Sequence, residues 1–226
     1  MTIAKYNWCF LPLLICLLTA CGDDEYHYPD VKLEYLTAFS GAEGNLESIL
    51  TDEGATFSVV ADASNNHINP NSSVRIVANY GKVATADGTE GVKLYASLNA
   101  VSPLPMPADK FKDGVKKDPA NILSIWMGLN YLNITLEVKA QDGKHKFGFI
   151  EDEVITNTEI GKSEVYLTLY HDAGDDVQAY TQRAYLSVPL QQYAVNGIRS
   201  VTIHFNLLTY SGKIETYDFE YIPSSK

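Results

Sequence analysis

Cysteine is scarce in this chain of 226 residues: Cys9, Cys16 and Cys21 are the only three. Two of them fall within the first twenty residues, so Cys21 is the only thiol from there onward and residues 21–226 can form no intramolecular disulfide. The folded part must rely on its core, and about two hundred residues suffice for one or two cores. Basic charge is also short. With Lys5 of the N-terminal stretch set aside, sixteen Lys and Arg stand against twenty-eight Asp and Glu, spread along the whole chain. Nucleic-acid binding draws on phosphate neutralisation by a basic face, and none is advertised here, so no nucleic-acid partner is expected. Non-specific adhesion to anionic lipid is disfavoured for the same reason. Catalytic signatures are missing too. There is no Gly-x-Ser-x-Gly elbow, and the five histidines are scattered rather than spaced as zinc ligands. Gly41-Ala-Glu-Gly44 precedes no helix that would cradle a phosphate. No cofactor, resident metal or enzymatic activity is expected.

The one long apolar run is Trp8 to Leu18, preceded by Lys5 as the only charge of the first twenty residues. Spanning a bilayer takes about 20 apolar residues, so this run suits a signal-peptide h-region instead. Leu18-Thr19-Ala20-Cys21 follows, with small residues just before the cysteine. It resembles the lipobox of bacterial lipoproteins, which implies removal of residues 1–20 and lipid attachment at Cys21. The bland alternative is an ordinary signal peptide with an incidental cysteine. Residues 21–30 then form a lipid-anchored tether carrying Asp23, Asp24 and Glu25. As plain chemistry this acidic run is a solvated spacer. It also resembles the surface-export signal of Bacteroidota lipoproteins, and the two readings are compatible. The expected location is the outer membrane, lipid-anchored and facing the cell exterior, with the acyl chains making the membrane contact.

Beyond the tether the periodicity is almost wholly β. Val31, Leu33 and Tyr35 alternate with Lys32 and Glu34, as in a half-buried strand. Residues 56–61, 74–80 and 92–100 supply further short strands, punctuated by Thr51-Asp-Glu-Gly54, the polar loop 64–71 and Ala86-Asp-Gly88. Short strands with turn signals point to a small barrel over residues 31–108. Three alternate prolines in Val101-Ser-Pro-Leu-Pro-Met-Pro-Ala108 fix φ and remove N–H donors, so a boundary is placed near Ala108. Alternatively, this stretch is a long loop within a single domain. Residues 109–226 are more regular. Leu132, Ile134, Leu136 and Val138 share one face. Gln141-Asp-Gly-Lys144 reads as a hairpin turn. Val165, Leu167 and Leu169, then Val201, Ile203, Phe205 and Leu207, give further apolar faces. Hairpin following hairpin describes an antiparallel β-sandwich. Residues 121–128 are the one stretch where a helical turn fits.

The run Tyr26-His-Tyr-Pro-Asp-Val-Lys-Leu-Glu-Tyr-Leu-Thr-Ala38 directly behind the lipobox and acidic run, with Leu169-Tyr-His-Asp172 and Val188-Pro-Leu190 later on, resembles the NigD-like lipoproteins of Bacteroidota. The resemblance covers the whole chain after the leader and implies an N-terminal OB-like barrel followed by a β-sandwich. It brings no catalytic residue with it, and the bacteriocin-associated operon behind the family name suggests at most an immunity or accessory role.

Three groups of side chains are candidates for function. His171-Asp172-Ala-Gly-Asp175-Asp176 concentrates carboxylates and an imidazole that fit a cation such as calcium. Asp and Gly also favour ordinary turns, and the spacing is not that of an EF-hand. Glu151-Asp152-Glu153 has the residue types of a glycosidase pair, yet no partner carboxylate is evident, and consecutive acids usually mark a solvated loop. Tyrosine is enriched, fifteen against eight phenylalanines. Tyr166 and Tyr170 share the face opposite the apolar one, and Tyr185 sits with Arg183; exposed rings of this kind stack on sugars or anchor a protein. Strands also favour tyrosine for packing alone. The expected function is a non-catalytic binding or accessory module for a glycan, peptide or envelope protein. The alternatives are a hydrolase of envelope or dietary polymers and a purely structural envelope component.

Overall fold

The computed structural model describes residues 31–223. Residues 1–20, Cys21 and the acidic run Asp23, Asp24 and Glu25 lie outside the described residues. Five strands come first: β1 (Val31–Ser40), β2 (Leu46–Thr51), β3 (Thr56–Asp62), β4 (Ser73–Ala84) and β5 (Glu90–Asn99). They close into a barrel in the order β1-β2-β3-β5-β4, the β3–β5 pairing being parallel. Leu36, Ala38, Ile49, Ile76, Ala78, Tyr80, Val92 and Leu94 fill its interior. Closure leaves the barrel without a free strand edge.

The remaining strands are β6 (Met106–Pro107), β7 (Asn121–Met127), β8 (Tyr131–Ala140), β9 (Lys146–Asn157), β10 (Lys162–Asp172), β11 (Tyr180–Pro189), β12 (Ser200–Leu208) and β13 (Ile214–Tyr221). They make a five-stranded sheet, β13-β12-β10-β9-β6, facing a three-stranded sheet, β11-β8-β7. Leu132, Ile134, Phe149, Val165, Leu167, Leu186, Val188, Val201, Ile203 and Phe205 pack between them. The fold is therefore all-β, an OB-like barrel followed by a β-sandwich, as the periodicity and the resemblance imply. The barrel ends at Asn99, and Met106–Pro107 already pairs with β9 of the sandwich. Among the described residues no helix is long and apolar enough to cross a membrane.

Several local expectations are corrected. Residues 121–128 hold no helical turn; Asn121–Met127 is an edge strand of the three-stranded sheet. The Gln141–Lys144 turn joins no hairpin, because β8 and β9 lie in different sheets, and the turn after His171 likewise crosses from β10 to β11. A tight turn signal reports chain reversal but not which partner the returning strand finds. Most neighbours are antiparallel, but β10 and β12 run parallel, so the sandwich is more than a chain of hairpins. At the start of β1, Val31 and Leu33 are exposed, because the barrel-facing parity belongs to Leu36 and Ala38.

Four strands are buried on both faces where the two halves meet. In β1 the run Tyr35-Leu-Thr-Ala38 is wholly buried, as is Arg75-Ile-Val-Ala78 in β4. Leu36, Ala38, Ile76 and Ala78 point into the barrel; Tyr35, Thr37, Arg75 and Val77 point at the sandwich. There they meet Asn133 and Thr135 of β8 and Tyr185 and Ser187 of β11, the faces opposite the sandwich core.

Candidate functional site

The junction between barrel and sandwich is built around Arg75. A buried arginine in an apolar run of strand has to find a partner for its charge, and Arg75 is only 3% exposed. Its Nη2 donates to both carboxylate oxygens of Asp52 at 2.5 Å, from the turn after β2, and to Asn133 Oδ1 at 3.0 Å. Its Nε donates to Ser187 Oγ at 3.0 Å and its Nη1 to Thr37 Oγ1 at 3.2 Å. Asn133 Nδ2 returns a bond to Asp52 Oδ2 at 2.6 Å, and the Ser187 hydroxyl donates to Asn133 Oδ1 at 2.7 Å. Gly128 makes room for this cluster: a Cβ there would lie 2.3 Å from Asp52 Oδ2. Beside it, the Tyr35 hydroxyl donates to the Ile134 carbonyl at 2.7 Å, and Trp126 packs edge-on against the Tyr35 ring at 5.2 Å. Burial pushes the Tyr35 phenol up to about 12, so it remains a neutral donor at any ordinary pH.

A cleft of about 600 Å³ opens over this cluster. Thr37, Phe39, Leu50, Thr51 and Ser73 form its barrel wall; Asn130, Tyr131, Pro189, Gln191 and Gln192 form its sandwich wall, and Leu104 of the connecting segment also lines it. Among the described residues, Asp52 is the only charged side chain in the lining, and both its oxygens are held by Arg75 and Asn133. It is thus poorly placed to accept a substrate proton. The Arg75 guanidinium lies 4.3 Å over the Tyr131 ring, so the ring is braced from one side.

The sequence-derived candidates do not form one surface. Tyr170 is buried, stacked on Phe111 at 4.5 Å, because the segment after β6 folds over that end of the sheet. This corrects the expectation of an exposed Tyr166–Tyr170 pair. Tyr166 lies on the five-stranded sheet, stacked at 4.4 Å on His204, with its hydroxyl bonded to Glu164. His204 pairs in turn with Asp218 at 2.7 Å. Tyr185 belongs to the other sheet and turns toward the barrel, 6.2 Å from the Tyr35 ring, while Arg183 two residues away is exposed. Glu151-Asp152-Glu153 is no loop. It sits within β9, where Glu151 accepts from the Tyr193 hydroxyl and Asp152 from Thr168, each at 2.6 Å.

The His171–Asp176 segment serves the fold from inside. His171 Nδ1 donates to the Asp118 carbonyl at 3.0 Å, which leaves its Nε2 as acceptor for His145 Nδ1 at 2.9 Å. His145 Nε2 faces Asp176 Oδ2 at 3.2 Å. Backbone N–H groups, first that of Gln141, hold the Asp176 carboxyl down at about 2. Burial pulls His171 below the ordinary imidazole value. The four groups tie together the two segments that cross between the sheets.

The comparisons with known proteins follow this architecture. The family model of the NigD-like C-terminal beta sandwich domain matches residues 102–221. A NigD-like immunity protein from Bacteroides caccae shares 36% identity at a TM-score of 0.72, over 88% of this chain and 100% of that one. The chain belongs to the NigD-like family. The NigD-like fold recurs in a protein described as toxin-related from Parabacteroides distasonis, with 20% identity, a TM-score of 0.66, and coverage of 85% of this chain and 94% of that one. It recurs again in a protein described as a lipoprotein from Bacteroides fragilis, with 11% identity, a TM-score of 0.58, and coverage of 87% and 99%. At those identities the likeness is one of fold. Among curated proteins nothing matches this NigD-like chain.

Sequence reasoning passed over Phe39, Tyr131, Gln191 and Gln192, whose positions come together only through the packing of barrel on sandwich. Arg75 alone carried a signal, as a charge within the apolar run of Val74, Ile76, Val77 and Ala78.

Proposed function

We propose that this NigD-like chain is a lipid-anchored, non-catalytic binding module of the cell envelope, with its ligand seat in the cleft between barrel and sandwich. The observation that carries the reading is the cleft's fixed and nearly uncharged lining. Its walls come from a closed barrel and a β-sandwich joined by the Arg75 cluster, so the seat is preorganised, and its one carboxylate among the described residues is already committed. A hydrolase would need two convergent acids or an activated nucleophile, and among the described residues the lining presents neither. The lipobox before Cys21 and the acidic run Asp23, Asp24 and Glu25 support an outer-membrane anchor facing the exterior. The immunity role named for the Bacteroides caccae relative is the form of accessory function this chain's kinship supports best.

Site-specific photo-cross-linking on intact cells tests this. A cross-linker at Leu104, in the cleft, is expected to give one discrete adduct that the same group at Ile214, on the far edge strand, does not give. Equal adducts from both positions, or none at Leu104, would sink the reading. Protease shaving of whole cells tests the orientation: a chain protected from protease faces the periplasm. Replacing Cys21→Ser is expected to release the chain from the membrane.

A further inference from the structure

We propose that the junction cleft takes a stretch of uncharged oligosaccharide. The inference rests on the reading of the cleft as the ligand seat and names what sits in it. Charge is the first argument. The chain carries a net charge of −11, yet among the described residues its cleft presents a single charge, Asp52, and that one is matched by Arg75. A charged ligand entering here would lose water without gaining a counter-ion.

Hydrogen-bonding character is the second. Gln191 on one wall and Ser73 on the other present an amide and a hydroxyl, beside the NH₂ of Asn130, whose Oδ1 accepts from Tyr221, and the hydroxyls of Thr37 and Thr51, whose oxygens accept from Arg75 and the Ala55 N–H; Gln192 also donates to the Pro105 carbonyl. Hydroxyl groups, which donate and accept at once, are the natural complement to such amides and alcohols. Apolar contact is the third. Phe39, 37% exposed, stands on the barrel wall, and Tyr131, braced by the Arg75 guanidinium, on the sandwich wall. Rigid rings of this kind pack against the C–H faces of a pyranose.

An extended peptide fits less well. Reading a peptide backbone favours an unpaired strand edge. β1 is paired with β2 and β4, and β2 with β1 and β3. The edge of β11 is taken at Leu186 by Val101, whose N–H donates to the Tyr185 carbonyl and whose carbonyl accepts from the Ser187 N–H. Neither wall offers a free ladder. The cleft volume falls within the range of small-ligand sites, about 300–1,000 Å³.

The test is a titration of the ¹⁵N-labelled chain from residue 21 onward, carrying Cys21→Ser, followed through the side-chain NH₂ signals of Asn130, Gln191 and Gln192. The probes are neutral hexasaccharides of glucose, mannose, xylose and N-acetylglucosamine, an anionic galacturonate hexamer, and a capped octapeptide of Ser, Thr and Gly. At least one neutral hexasaccharide is expected to shift the three amides saturably. Gln191→Ala and Tyr131→Ala should each weaken that binding tenfold or more, and Tyr131→Phe should keep it within about threefold. Unchanged backbone signals in the sandwich core would show that the variants fold. The proposal is overturned if no neutral sugar shifts the amides, if the galacturonate or the peptide binds more tightly, or if Gln191→Ala and Tyr131→Ala bind as well as the parent. Should the sugars fail while the cross-linker at Leu104 still captures one partner on cells, the sugar assignment falls and the binding function stands. If both fail, both fall.

Discussion

Replacing Arg75→Met removes the centre of the junction while keeping much of the side-chain volume. Arg75 is nearly buried, and its loss leaves the Asp52 carboxylate, 18% exposed, with only Asn133 as a partner. Ser187 and Thr37 each lose a partner as well. Breaking a buried ion pair from one side costs about 3–5 kcal/mol, mostly from the stranded charge. For a urea m-value of about 2 kcal/mol/M, the unfolding midpoint should drop by about 1.5–2.5 M. Trp126 is the only tryptophan beyond Trp8 and packs directly on Tyr35 of the barrel, so its fluorescence reports the junction itself. The Trp126 transition is expected to precede loss of the far-ultraviolet β signal, since each half retains its own core. Combining Arg75→Met with Asp52→Leu removes the stranded charge and should recover more than about 1.5 kcal/mol of the single-variant loss. A loss below about 1 kcal/mol for Arg75→Met alone, with no recovery in the double variant, would refute the claim that this cluster holds the halves together.

Acid should weaken the sandwich in two stages. Burial lowers His171, so below the ordinary imidazole value of 6.5 the unfolded chain takes up a proton that the folded chain resists, and stability falls. Asp176 adds a second loss as pH drops from 3.8 toward about 2, because its folded carboxyl stays ionised while the unfolded one is protonated. Thermal melts across pH 2–8 should show both, and Asp176→Asn should flatten the lower stage; a profile unchanged by that substitution would contradict the account. Phe111→Ala uncovers Tyr170 and should cost about 1–2 kcal/mol, less than a full core truncation because Phe111 is only half-buried. Hydrogen exchange should quicken around β9 and β10 and stay unchanged in the barrel. Gly128→Ala pushes a methyl into Asp52 and Asn133 and should cost about 1–3 kcal/mol, measured by the same urea titration. A neutral outcome would mean that the turn relaxes without disturbing the cluster.

The strands were legible because alternation is a local signal. Leu132 to Val138 and Val201 to Leu207 announce faces that do line the sandwich core. The same alternation misled where the second face is also covered: Asn133, Thr135 and Ser187 look solvent-facing by type, yet the barrel buries them. Tyr170 was misassigned for a related reason, since the residue that shields it, Phe111, is far away in sequence. Turn residues were located correctly, but pairing was not, because Gln141–Lys144 looks the same whether the chain returns within one sheet or crosses to the next. The cleft was invisible: its lining comes from two β-units whose approach is set by Arg75 and Asp52, and no spacing rule connects residue 52 with residue 75 or 133.

The central claim is that this NigD-like chain works by binding at the barrel–sandwich cleft. Its most direct test is the saturation isotherm of the soluble Cys21→Ser chain on isolated cell envelopes, beside the same chain carrying Tyr131→Ala and Gln191→Ala. Saturable binding that falls tenfold or more in the cleft variant is the result expected. Binding that is equal in both chains, or absent in the parent, would contradict it.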